Sequence, residues 1–189
     1  MRRFTQGFYG YVFAMLVCLA IGAVFLLITP QDRAEHIPSV DYSIDLANAR
    51  RMASFAVWAP SPPPNWVPTS SRLVDQDHAV TWRLGFATAE RKHAMLAQSD
   101  ERPATEFANR MAGIAASQGT TQVAGMTWEK RYREDKNQRS LIRVLPDSII
   151  VVTGSADWPE LTALAASLRA QPKTPATETS PPAPGGGAH

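Results

Sequence analysis

The chain has 189 residues, a formal net charge of +2 and a single cysteine. Charges of both signs are interleaved along it, which excludes the clustered basic face of a nucleic-acid binder, and one cysteine excludes an internal disulfide. With an apolar N-terminal stretch and a Pro/Gly-rich tail set aside, about 140 residues remain, enough for one hydrophobic core and too few for two.

Residues 8–29, FYGYVFAMLVCLAIGAVFLLIT, carry no charge. A helix of about 22 residues reaches roughly 33 Å, the depth of a bilayer's hydrocarbon core. About a dozen of these residues are Leu, Ile, Val or Phe, so insertion is favoured by on the order of 5 kcal/mol. The expectation is a transmembrane helix over residues 8–29, preceded by a cytoplasmic terminus at 1–7 and followed by a linker at 30–39. A cleaved signal peptide has an apolar region of about 7–15 residues and an A-x-A-like end. The run here is longer and ends in Leu27, Ile28, Thr29 and Pro30, which fits an uncleaved signal anchor better. Cys18 follows Val17 rather than the small residue of a lipoprotein signal, so it reads as a small apolar member of the span. Arg2 and Arg3 precede the span, while Asp32, Arg33 and Glu35 follow it. The positive-inside rule therefore places the N-terminus in the cytoplasm and everything after residue 29 outside.

The domain is expected over residues 40–171. Residues 40–44 suit a short strand, and residues 45–52 a helix capped by Asp45. Residues 61–68, SPPPNWVP, form a loop that three successive prolines bar from any helix or central strand, with Trp66 folding back over the core. Residues 70–74 suit a strand and Asp75-Gln76-Asp77-His78 a polar turn. Residues 79–86 alternate cleanly, with Val80, Trp82, Leu84 and Phe86 on one face, the period of a half-buried antiparallel strand. A return strand follows over 93–99.

Residues 103–117 read as a helix that carries Phe107, Met111 and Ile114 on one stripe and stops at Gly119. Short strands at 121–124 and 126–132 flank Gly125. The charged run 131–139 reads as a solvated hairpin loop. Residues 141–145 and 148–153 form another hairpin turning at Pro146-Asp147. Within it, Ile149 to Val152 are continuously apolar, as in a central strand covered on both faces. The last helix has Asp157 as its cap, Pro159 in its first turn, Glu160 completing a capping box, and a buried stripe of Leu161, Leu164, Ala165 and Leu168. The predicted class is α+β: an N-terminal transmembrane helix, then one domain with a mainly antiparallel sheet packed against two main helices. Residues 172–189 have no apolar side chain larger than alanine and read as a disordered tail.

Val40-Asp41-Tyr42, Ala49-Arg50-Arg51, Ala59-Pro60, WRLGF at 82–86, Gln98-Ser99, WEKRY at 128–132 and VTGSA at 152–156 together carry a resemblance. On these residues the chain resembles the domain-of-unknown-function 4245 family of actinobacterial membrane proteins. The resemblance implies an anchored envelope domain and supplies no catalytic residues.

Asp75, Asp77 and His78 are the nearest thing to a metal cluster. They lack the glycine and distal glutamate of a calcium loop, and no second histidine stands at zinc spacing. No G-x-S-x-G elbow or phosphate loop occurs. No metal, cofactor or catalytic residue is therefore assigned, and the protein is not expected to be an enzyme. A hydrolase would need at least two of Asp75, Asp77, His78 and Glu129 to converge. The expected function is a non-enzymatic interaction or accessory module on the outer face of the cytoplasmic membrane. Its partners would be the lipid bilayer, through residues 8–29, and an envelope protein or ligand. The alternative is a binding domain for an envelope lipid, glycan or peptide, using Trp66, Trp82, Trp128 and Trp158 around a groove. The competing reading of those four indoles is ordinary core.

Overall fold

The computed structural model describes residue 10, residues 12–21 and residues 37–172. Two units are distinct, Met1–His36 and Ile37–His189. In the first, residues 12–21 are helical. No helix among the described residues is long and apolar enough to cross a membrane. The expected span at 8–29 lies partly outside the described residues, as do the terminus at 1–7, most of the linker and the tail from residue 173.

In the second unit the elements run α1 (Ser43–Met52), β1 (Trp58–Ala59), β2 (Val67–Gln76), β3 (Ala79–Ala87), β4 (His93–Ser99), α2 (Ala104–Ala112), β5 (Ser117–Val123), β6 (Met126–Arg133), β7 (Gln138–Val144), β8 (Ile149–Gly154), α3 (Trp158–Ser167) and β9 (Arg169–Ala170). A one-turn 3-10 helix, Glu134–Lys136, joins β6 to β7. Seven strands form one sheet in the order β2-β3-β4-β8-β7-β6-β5, every pair antiparallel. β1 and β9 pair separately.

The sheet has two covered faces. On the first, Val80, Trp82, Leu84 and Phe86 of β3 join Leu96, Leu141, Ile150 and Val152, and α1 and α3 lay Ala49, Leu161, Leu164 and Ala165 against them. On the second, Phe107, Ala108 and Ala112 of α2 cover Ala97, Ile142, Ile149 and Val151. β8 therefore lies at the middle of the sheet, and all six of its residues are buried. A strand enclosed on both faces takes an apolar residue at every position, which is why residues 149–152 lack alternation.

Hairpin chemistry sets the strand ends. Asp77 and His78 have φ of +53° and +63°, and Ala124 and Gly125 have +50° and +75°. Two consecutive left-handed residues make the turn whose twist matches a right-handed β-ribbon. The α3 capping box is present, with Glu160 Oε2 accepting the Asp157 N–H at 3.0 Å.

Four expectations are corrected. Residues 40–44 are not a strand: Asp41 Oδ1 accepts the Ser43 N–H at 2.9 Å and α1 begins there. Asp45 does not cap that helix and instead accepts a hydrogen bond from Ser71 on β2. α2 ends at Gly113, with φ +77°, rather than near residue 117, and Ile114 is left 87% exposed. The charged run 131–139 is mostly strand, because Arg131, Tyr132 and Arg133 pair with Ser140, Arg139 and Gln138 across the β6–β7 ladder and Arg139 lies over the Tyr132 ring at 5.3 Å. The short helix expected over residues 45–52 is present as α1, beside the two main helices.

Candidate functional site

α2 covers the second face only over the central strands, and the packed cluster beneath it includes nothing from β2 or β3. A cleft of about 810 Å³ opens beside it, between the β2–β3 hairpin and α2. The hairpin contributes Val74, Thr81 and Arg83 to its wall, and the turn adds Asp77 and His78 at the rim. The loop before α2 supplies Asp100, Glu101 and Arg102, and the helix supplies Arg110 and Met111.

The charges in this cleft are unevenly matched. Asp100 is occupied by the fold, its Oδ1 accepting the Val80 N–H at 2.8 Å and its Oδ2 the Ser54 hydroxyl at 2.7 Å. Glu101 is held in a fork by Arg110, with Nη1 to Oε1 at 2.8 Å and a second contact from Nη2 to Oε2. That pairing raises the Arg110 pKa above the ordinary arginine value. Arg102 spends one nitrogen on the Pro146 carbonyl, at 2.7 Å. Arg83 differs from these: its Nε is buried and has no hydrogen-bond partner among the described residues. Arg72 of β2 stands directly opposite Arg83 in the strand register, and like charges opposed in this way repel. The cleft therefore presents guanidinium donors while two of its carboxylates are already engaged. Three arginines face three carboxylates in the lining, and Arg83 is the arginine among them with no hydrogen-bonded side-chain partner among the described residues.

The tryptophans named from the sequence lie elsewhere, and none lines this cleft. Trp82 and Trp128 are each 1% exposed within the core, so neither offers a face to a ligand. Trp66 and Trp158 are partly buried against the same core. Trp66 packs on Phe86, with ring centroids 6.0 Å apart, and Lys130 Nζ sits 4.2 Å from the Trp158 ring. Asp77 and His78 do reach the cleft. Glu129 does not join them: five strand spacings separate β6 from β2, about 24 Å at about 4.8 Å each.

One carboxylate cluster has metal-like spacing. Oxygens of Glu90, Asp157 and Glu160 lie within 4.8 Å of one another. Its cation is supplied from within: Lys92 Nζ sits 2.7 Å from Glu90, 2.5 Å from Asp157 and 4.0 Å from Glu160. The Lys92 hydrogen bond holds the Asp157 carboxyl below the usual carboxylate range, and Lys92 is raised in turn by Asp157 and Glu90. This arrangement anchors the start of α3 to the β3–β4 turn and the start of β4.

Sequence reasoning missed Arg83. Alternation marked it only as a residue opposite the Trp82 face. Nothing local in the sequence says that α2 stops short of covering it.

A search of curated proteins finds no match. A solved structure, MucB in complex with MucA(peri), is similar to the chain at 11% sequence identity and a TM-score of 0.33, covering 63% of this chain and 38% of the matched one. The likeness thus spans well under two thirds of that chain and says nothing of activity or partner. Residues 3–168 match the family described as "Protein of unknown function (DUF4245)", a match that takes in both the apolar stretch and the whole seven-stranded sheet, and the chain belongs to the DUF4245 family.

Proposed function

We propose that this is a single-span membrane protein whose α+β domain is held outside the cytoplasm as a non-enzymatic interaction or accessory module of the cell envelope. The observation that carries this reading is the character of the helical stretch at residues 12–21. Val12, Phe13, Met15, Leu16, Val17, Leu19 and Ile21 are all exposed there, at 41–70%. At about 100° per residue these positions fall all round the helix, with Ala14 and Cys18 filling the remaining sector. A helix apolar on every side is stable inside a core or a bilayer, not in water. The uncharged run extends well beyond these residues, from 8 to 29, and the two arginines before it favour a cytoplasmic N-terminus.

A reporter that is active only outside the cytoplasm, fused after Leu168, tests the topology. Alkaline extraction of the membrane fraction tests the anchor. Reporter activity together with retention in the extracted membranes is the expected result. An inactive exported reporter, or release of the intact chain at high pH, would overturn the proposal.

A further inference from the structure

We infer that the cleft between the β2–β3 hairpin and α2 binds the phosphate group of an anionic ligand, with Arg83 as its principal donor. The inference goes beyond the anchored-module reading and does not depend on where the chain resides.

Three observations meet at this place. First, the Arg83 Nε is buried without a partner among the described residues, and a buried donor left unmade destabilises the fold until something accepts its hydrogen bond. Second, Arg72 opposes Arg83 across the β2–β3 ladder. Arg72 lies outside the cleft lining, and an anion held at Arg83 would offset the repulsion between the two. Third, two of the three carboxylates in the lining are committed elsewhere, Glu101 to Arg110 and Asp100 to Val80 and Ser54, and the third, Asp77, stands at the rim. They leave Arg83 without an internal acceptor.

The shape of the cleft selects the ligand. Arg83 comes from a strand and Arg102 from the loop before α2, and both line one space. A carboxylate is satisfied in its plane by a single guanidinium fork, whereas a tetrahedral phosphate offers oxygens to donors arriving from separate elements. The volume, about 810 Å³, exceeds what a bare ion fills and falls within the range of small-molecule sites. Val74, Ala79 and Met111 supply an apolar wall for an organic group attached to the phosphate. Either a soluble phosphate ester or a phospholipid headgroup has this chemistry.

The test uses the full-length protein in dodecyl maltoside micelles, which contain no phosphate. Calorimetric titrations with phenyl phosphate and, separately, with dioctanoyl phosphatidylglycerol read the binding at low salt. Saturable binding of at least one is expected. Binding of phenyl phosphate identifies a soluble ester as sufficient, and binding of phosphatidylglycerol alone identifies the lipid headgroup. Arg83→Met should weaken binding by about tenfold or more, the loss expected for charged hydrogen bonds, while its Tm without ligand equals or exceeds that of the parent. Asp77→Asn should tighten binding by removing a carboxylate from the rim. Should Arg83→Met fail to fold, Arg102→Gln, at an exposed residue, gives the same reading through a several-fold loss. The inference is overturned if neither probe binds saturably up to millimolar concentration, or if the folded arginine variants bind as the parent does.

Discussion

Gln98 is a fully buried polar residue on the apolar face of β4, at 0% exposure, and its replacement tests how the 53–59 segment is held to the sheet. Its Oε1 accepts the Trp58 N–H at 2.7 Å and its Nε2 donates to the Trp58 carbonyl. The side-chain amide thus does for β1 what a neighbouring strand would do. Gln98→Leu keeps the volume but leaves the Trp58 N–H and C=O unpaired. At roughly 1–3 kcal/mol for each of the two orphaned groups, the expected loss is about 2–6 kcal/mol. Gln98→Ala adds a cavity and about 2–5 kcal/mol more. Against a typical stability of about 5–15 kcal/mol, either change removes a large share. Urea unfolding of the full-length protein in dodecyl maltoside, followed by tryptophan fluorescence, reads the difference from midpoints at constant slope. If Gln98→Leu lies within about 0.5 kcal/mol of the parent while Gln98→Ala falls, packing volume alone matters and the hydrogen-bonding account is refuted.

Four further outcomes are expected. A Cβ on Gly154 would lie 2.1 Å from the His93 carbonyl oxygen and 2.9 Å from the Ala94 Cα. Gly154→Ala should therefore cost about 2–4 kcal/mol in the same unfolding assay. Gly125→Ala, with open space around it and φ of +75°, should cost only about 1–2 kcal/mol of backbone strain. Because the Asp157 pKa is depressed by Lys92, its contribution to stability is fully present above the unfolded carboxylate pKa and is lost as pH falls through the lower folded value. Melting temperatures of the parent and Asp157→Asn should thus converge below about pH 4 and separate above it; parallel curves would contradict the ion pair. Finally, Leu16→Arg with Leu19→Arg places two charges in the apolar run, each opposing insertion by about 2.5–3.5 kcal/mol against an estimated gain of about 5 kcal/mol. The doubly substituted chain should leave the membrane fraction on alkaline extraction, and full retention would argue against a spanning anchor.

How far the sequence could be read differs from element to element. β3 was legible because one of its faces is buried and the other is not, so residues 79–86 alternate. β8 was legible for the opposite reason, its burial on both faces removing the alternation. α3 announced itself through the Asp157–Glu160 capping box, a contact between residues three apart. The errors fall where distant partners outweigh local preference. Tyr42 lies 6.3 Å from the Trp82 ring, and that segment is not a strand. Arg133 packs 2.9 Å from where a Gly113 Cβ would stand, at the point where α2 ends. The charged residues 131–139 find acceptors and aromatic faces across the sheet, so a run that reads as a solvated loop is mostly paired strand.

The sequence by itself determined the class of the domain, the hairpin turns and an uncharged apolar run of membrane length, because each depends on the period or composition of neighbouring residues. Only the tertiary structure decided the strand order, the burial of Trp82 and Trp128, the seat of Gln98 against Trp58, and the cleft around Arg83. Those features arise where chain segments 20 or more residues apart are brought together, and a one-dimensional pattern records which face a residue occupies but not what lies across from it.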